Sequence, residues 1–433
     1  MRTSISTYAM QIEAYDEQRS EQASTYFYLL NSMAINMDTD GESWLSCIRC
    51  GRKYDISRRK YICDRCHGLL EVKHSFPDHF TSEGFSGVWH YGPLIHPALG
   101  KARIISRGEG ATAMYSHESV SRFTGLSSLG MKHEGENPTG SFKDRGMTVA
   151  VTEALRLGAT ETICASTGNT SASAASYSAL AGIRSNVLIP SGNISSSKLS
   201  QAIAYGARII DIPGDFDMAM SNVIRIAENR QDYYVLNSIN PWRIEGQKTI
   251  FFEIMERVRD CRFIALPAGN LGNTSAAGKA IREFKELGLI DDIPKIISVQ
   301  AEGASPFYNL WTGGGEKLEP VRASTIASAI RIGNPVNWEK AIREIRYTGG
   351  MVVRVTDREI MESKRVVDRS GIGCEPASAA SVAGLKQLVD QGKIDRNDSA
   401  VAVLTGNILK DTASIQEVSD RIPVEAFMQE LLA

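Results

Sequence analysis

From about residue 105 onward the chain alternates short apolar runs with amphipathic segments. The runs at 163–166, 185–189, 207–211, 263–266, 296–299 and 400–404 read as buried strands. Between them lie helical patterns. One covers 144–157, with Met147, Val151, Ala154 and Leu155 at the i, i+4, i+7, i+8 spacing, and it stops at Gly158. An Ala-rich helix is read at 172–181, and others at 274–287 and 377–391. Such alternation predicts an α/β fold in which helices cover mainly parallel sheets.

The rest of the composition narrows the class. A chain of 433 residues is long enough for two or three domains with a large core. A net charge of −2 argues against a general nucleic-acid or anionic-membrane surface. No apolar run approaches the ~20 residues needed to span a bilayer, and the N-terminus lacks a sustained apolar signal core. All seven histidines (67, 74, 79, 90, 96, 117 and 133) precede residue 134. A general base in the remaining stretch must therefore be a Lys, Asp, Glu, Tyr, Cys or a cofactor.

Seven cysteines suit a reducing cytosol better than a disulfide framework. Four of them form the pairs Cys47-x-x-Cys50 and Cys63-x-x-Cys66, separated by twelve residues. Two such knuckles can set four thiolates around Zn²⁺, and a closed set of four leaves no position for water, so the zinc would be structural. Residues 41–75 are read as this small module and 1–40 as an N-terminal extension.

Four segments carry candidate chemistry. In the run Asn137-Pro-Thr-Gly-Ser-Phe-Lys143-Asp-Arg145, Lys143 stands at a helix start, where the macrodipole disfavours a cation. A desolvated lysine can lose its proton and attack an aldehyde; a helix-start lysine with local contacts would look the same. Ser166-Thr-Gly-Asn169-Thr-Ser171 follows a strand and opens a helix, which suits a carboxylate or a plain polar cap. Gly269-Asn-Leu-Gly272-Asn273 is a strand–loop–helix turn able to close its N–H groups on a phosphate, though Gly-rich turns are common. Thr405 ends the last strong strand. Its hydroxyl could bond a pyridine nitrogen, or simply cap the strand.

Together the four segments resemble the threonine synthase family of tryptophan-synthase-β-like (fold type II) pyridoxal-phosphate (PLP) enzymes. The likeness runs from about Gly108 to Asp411. The Cys₄ module followed by Gly87-Val-Trp89-x-Tyr91 is similar to the zinc-ribbon-bearing version. The resemblance implies a two-domain body: a large PLP domain at 76–148 and 256–433, and a small substrate domain at 149–255. It implies PLP on Lys143, Asn169 at the ring hydroxyl, Gly269, Asn270, Leu271, Gly272 and Asn273 at the cofactor phosphate, and Thr405 at the pyridine nitrogen. Substrate carboxylate would meet Ser166, Thr167 and Thr170. Substrate phosphate would meet Lys198, Asn237, Ser238 and Arg243.

The implied reaction turns O-phosphohomoserine and water into threonine and phosphate by γ-elimination and β-addition, with Lys143 moving protons. A β-elimination or β-replacement on serine, threonine or O-phosphoserine is the nearest alternative. A zinc-ribbon binding protein with a vestigial body is a third, and it predicts damage at the lysine or the phosphate loop, which is not seen. The expected partner is a phosphorylated amino acid, with no nucleic acid and no membrane, in the cytoplasm; a homodimer stays open. The family's Gly-Glu-Gly-x-Thr-Pro-Leu reads Gly108-Glu-Gly-Ala-Thr-Ala-Met114 here, without the proline.

Overall fold

The computed structural model describes residues 41–76, 85–100, 102–191, 196–214 and 216–415, with positions 424, 428 and 429. The extension at 1–40 lies outside them. Each of the six apolar runs is a strand, and the alternation resolves into two helix-covered sheets.

The N-terminal module is a three-stranded antiparallel sheet, β2-β1-β3, from β1 (Ser43–Cys47), β2 (Lys53–Asp55) and β3 (Leu70–His74). A second sheet contains β4 (Met114–Tyr115), β5 (Ser128–His133), β10 (Phe263–Pro267), β11 (Lys295–Ala301), β12 (Met351–Val355) and β13 (Ser399–Leu404). Its order is β12-β11-β10-β13-β5-β4, parallel except at the β4 edge. The third is wholly parallel, β8-β7-β6-β9, from β6 (Glu161–Ala165), β7 (Arg184–Pro190), β8 (Arg208–Ile212) and β9 (Tyr233–Val235). Strands such as β6, β10 and β13 are buried along their whole length, as strands covered on both faces must be.

Six helices place the site: α1 (Lys143–Arg156), α2 (Asn169–Ala181), α3 (Pro241–Arg257), α4 (Gly272–Glu286), α5 (Trp338–Tyr347) and α6 (Pro376–Asp390). Helices α1 and α3 touch backbone to backbone. A Cβ on Gly246 would lie 1.8 Å from the Arg145 carbonyl oxygen, so only glycine permits the crossing. The contact encloses a charge cluster. Arg145 donates to Glu134 at 2.5 and 2.8 Å and to Glu253 at 2.6 and 2.8 Å. Lys132 on β5 lies 2.7 Å from Glu253, and Arg145, Lys132 and Glu134 are fully buried. Two cations face two carboxylates, so the cluster is neutral as a unit.

A second buried network ties the module to the body. Glu245 on α3 accepts from His74 at 2.9 Å and pairs with Lys248 at 2.5 Å and with Lys279 on α4. Lys279 also donates to the Val72 carbonyl and Lys340 on α5 to the Leu70 carbonyl, each at 2.7 Å. Arg49, inside the first cysteine knuckle, pairs with Glu339 on α5. No helix among the described residues is long and apolar enough to cross a membrane.

Replacing Arg145 by Met strands two buried carboxylates. It should lower unfolding free energy by ~3–5 kcal/mol, read as a drop in the urea midpoint. A midpoint shift no larger than that of a surface Arg→Met control would show that the cluster is not holding the crossing.

Candidate active site

The lysine segment is pinned on both sides of Lys143. Asp144 accepts from the Thr139 amide and hydroxyl at 2.6 Å each and from Ser173 on α2 at 2.5 Å. Burial nonetheless lifts its carboxyl to about 6. Arg145 is held in the charge cluster. On the other side, Ser141 bridges Gly406, and the Phe142 amide donates to the Thr405 carbonyl at 3.0 Å. Lys143 itself has no hydrogen bond or ion pair through Nζ among the described residues. Its amine rests 3.9 Å from the Phe142 ring centre. Burial brings the amine down to about 7, the nearby Arg243 adds to the drop, and Glu375 opposes it. A neutral amine at such a pH can act as nucleophile and as base.

The Gly269–Asn273 turn leads from β10 into α4. Leu271 within it has φ +63°, a left-handed conformation that costs a non-glycine residue roughly 1–2 kcal/mol. Such strain gathers at sites where backbone groups must be aimed. Around the turn, buried polar atoms lack protein partners: both side-chain atoms of Asn273, Arg243 Nε, Gln247 Oε1 and Asn337 Oδ1. Gln247 Oε1 and Asn337 Nδ2 each lie 3.7 Å from where a Gly272 Cβ would stand. Unpaired buried groups are costly in a folded protein, and these are of both kinds: Asn273 Nδ2 and Arg243 Nε can donate, whereas the three amide oxygens can only accept.

Across the site, Ser166, Thr167 and Thr170 stand half-buried where β6 gives way to α2. Asn169, the first residue of α2, donates through Nδ2 to both carboxylate oxygens of Glu375 at 3.1 and 3.2 Å. Glu375 precedes α6. Its own amide donates to the Gly406 carbonyl at 3.1 Å, and the Thr405 hydroxyl lies 3.1 Å from that of Ser378. The structure thus sets Asn169 and Gly406 against one carboxylate, whose charge also bears on Lys143 and which the motif reading missed. Glu375 stands directly before a proline-started helix, and its side chain makes no cap bond there. Gln247 and Asn337 were not singled out either: Gln247 closes the block that begins at Asn237 and carries Arg243, and Asn337 lies in no recognisable motif.

The residues expected at a substrate phosphate divide. Arg243 is buried beside Lys143, bonded to the Leu236 carbonyl at 3.0 Å with Nε free of protein partners. Burial lowers its guanidinium to about 10. The Ser238 carbonyl accepts from Asn337 at 3.0 Å. Asn237 has both ends of its amide on Ala165 at 2.9 Å each, so it holds the end of β6, and that pairing uses one of its two side-chain N–H groups. Lys198 stands on the helix Ser196–Ala204, and its side chain lies outside the described residues. In the module, the sulfurs of Cys47, Cys50, Cys63 and Cys66 all lie within 4.8 Å of one another.

The family profile "Pyridoxal-phosphate dependent enzyme" matches residues 105–406. A threonine synthase of Methanosarcina acetivorans is 44% identical over 387 residues, 87% of this chain and 94% of that protein. One from Methanocaldococcus jannaschii is 44% identical over 89% of this chain and 97% of its own. One from Mycobacterium tuberculosis is 46% identical over 70% and 82%. The solved structure of threonine synthase from Escherichia coli shares the fold, with TM-score 0.69 and 19% identity over 90% of this chain and 95% of that one. Threonine deaminase isoform 2 of Solanum lycopersicum does so at TM-score 0.59 and 20% identity, over 71% and 87%.

Lys143 should acylate or arylate in the cofactor-free protein with a half-maximal rate near pH 7, against the usual lysine value of about 10.4. Peptide mapping after timed labelling at graded pH measures it. A Lys143 profile that overlays those of the surface lysines would refute the lowered value.

Proposed function

Since the chain belongs to the threonine synthase family of pyridoxal-phosphate-dependent enzymes, we propose that it converts O-phosphohomoserine and water to threonine and phosphate, with Lys143 as cofactor-bearing and proton-moving residue. The observation that carries this reading is the amine of Lys143, without a hydrogen bond through Nζ and lowered to about 7, with the buried Arg243, whose Nε lacks a protein partner, acting on it.

The residues present fit PLP. The turn Gly269–Asn273 would hold its phosphate, Asn169 its ring hydroxyl and Thr405 its pyridine nitrogen, with Lys143 as the covalent anchor. When bound, PLP supplies an electron sink that stabilises negative charge on the substrate's carbon skeleton. The protein's own groups do the rest. The Lys143 amine takes the proton from Cα and returns one to it, and no histidine follows residue 133 to share the task. Ser166, Thr167 and Thr170 receive the substrate carboxylate at the start of α2. Arg243, with a free Nε, faces the phosphate that leaves Cγ, and Lys198 is read as its second cation. Ser238 is assigned to the same anion, and Asn237 acts by fixing the loop that follows β6. A neutral Thr405 hydroxyl leaves the pyridine nitrogen unprotonated. We read 149–255, which contains the β6–β9 sheet, as the small substrate domain.

The Cys₄ cluster is read as a structural zinc site. A tetrahedral ion with bonds of ~2.3 Å separates its sulfurs by about 3.8 Å, and the Cys50–Cys63 sulfurs are 3.6 Å apart. The setting is the cytosol.

Purified protein given O-phosphohomoserine should release phosphate and threonine in equal amounts, and Lys143→Ala should lower kcat by ~10³-fold or more. Phosphate accompanied by ammonia and a 2-oxo acid would reject the synthase reading while keeping PLP. Elemental analysis should find one zinc per chain, lost together with thermal stability in Cys50→Ser. Metal-free wild-type protein of full stability would dismiss the zinc.

A further inference from the structure

Glu375 is buried and belongs to no step above. Its carboxylate takes the Asn169 amide through both oxygens, at 3.1 and 3.2 Å. It packs so tightly on Gly406 that a Cβ there would lie 2.4 Å from Oε1. The charged groups that bear on it come from separate elements: Lys143 from α1, and Lys410 and Asp411 from the segment after β13. Burial already pushes the carboxyl above its usual range, and the Asn169 bond and the two lysines pull it back. The contact also joins the two large sheets, because Asn169 opens the helix after β6 and Glu375 the helix that leads to β13.

We propose that cofactor loading is proton-linked through Glu375: Asn169 serves either this carboxylate or the ring oxygen of PLP, and Glu375 takes up a proton when its donor is drawn away. This rests on the reading that assigns Asn169 to the ring hydroxyl. An acceptor oxygen arriving at the Asn169 amide brings a second negative partial charge to a carboxylate already out of water. The ionised form then loses a bond and gains a repulsion, so the proton-bound form is favoured. The acid that results can donate a hydrogen bond where the carboxylate could only accept. The sign follows. The loaded state binds the proton more tightly than the empty state, so affinity for the cofactor ring is highest below the empty-state pKa of Glu375 and falls as pH rises through it.

The probe is pyridoxine 5′-phosphate, which has an alcohol in place of the aldehyde and cannot condense with Lys143. Its dissociation constant is measured on the cofactor-free protein from about pH 5 to pH 9, for wild type and Glu375→Gln, so that the probe's own ionisations cancel in the ratio. Wild-type affinity should fall relative to the variant by up to about tenfold per pH unit above the Glu375 pKa. Parallel profiles would overturn the proposal and leave the PLP reading intact. Failure of both proteins to bind the probe removes that reading and the proposal with it. Infrared difference spectra of the wild-type protein give an independent answer should Glu375→Gln not fold. A protonated-carboxyl band must appear when the probe is added, and its absence overturns the proposal.

Discussion

The pairing of Arg145 with Glu134 and Glu253 is the contact from which the site is built. Arg145 follows Lys143 by two residues, and its guanidinium is locked by four bonds in a place without water. Its carbonyl meets Gly246 at backbone distance, which brings Arg243 alongside the lysine. A buried cluster of this kind adds little net stability over an apolar one, because desolvation offsets its attraction. What it supplies is position. A leucine at 145 could settle in several rotamers, whereas a bidentate guanidinium between two fixed carboxylates has one orientation. The direction of α1, and with it the direction of Lys143, follows from that.

The second buried network does for the Gly269–Asn273 turn what the first does for the lysine. Lys279 lies on α4, two turns beyond Gly272, and Lys340 lies one turn into α5, just past Asn337. Both end on carbonyls of β3. Asn337 in turn donates its backbone amide to the Asn270 carbonyl at 3.3 Å. The cysteine module therefore holds the helices whose N-termini frame the Gly269–Asn273 turn. A structural metal there would act by stiffening these helix starts and not by chemistry.

The same networks decide what could be read from the sequence. The strands found by pattern, such as β10 and β13, are apolar throughout. β5 was missed because Gly130, Lys132 and His133 interrupt it; Lys132 is buried through its charge partners, not through hydrophobicity. Helix α3 hid for a similar reason. Its Arg243, Glu245 and Lys248 look like a solvated face, yet all three are buried. Apolar periodicity cannot detect a core made of ion pairs. In the site, Lys143, Asn169, the glycine turn and Thr405 stood out through local motifs. Glu375, Gln247 and Asn337 did not, because Glu375 meets its partner Asn169 across 206 residues of sequence, and the other two stand out only by bonds they fail to make. Asn237 shows the opposite limit. Its motif pointed to a ligand, and its amide pairs with Ala165.

Neutral networks also explain how one lysine is tuned. Each cation of the Arg145 cluster is matched by a carboxylate, so the two signs largely cancel, and no member of the cluster is among the charges that shift Lys143. The charges that remain effective are Arg243, which has no carboxylate partner among the described residues, and Glu375. They act in opposite directions on an amine already disfavoured as a cation by burial. A protonated Glu375 would remove the single carboxylate that supports the ammonium form while leaving Arg243 in place. The lysine and the carboxyl are thus linked in sign: whatever neutralises Glu375 also lowers Lys143, and so favours the free amine that the chemistry requires.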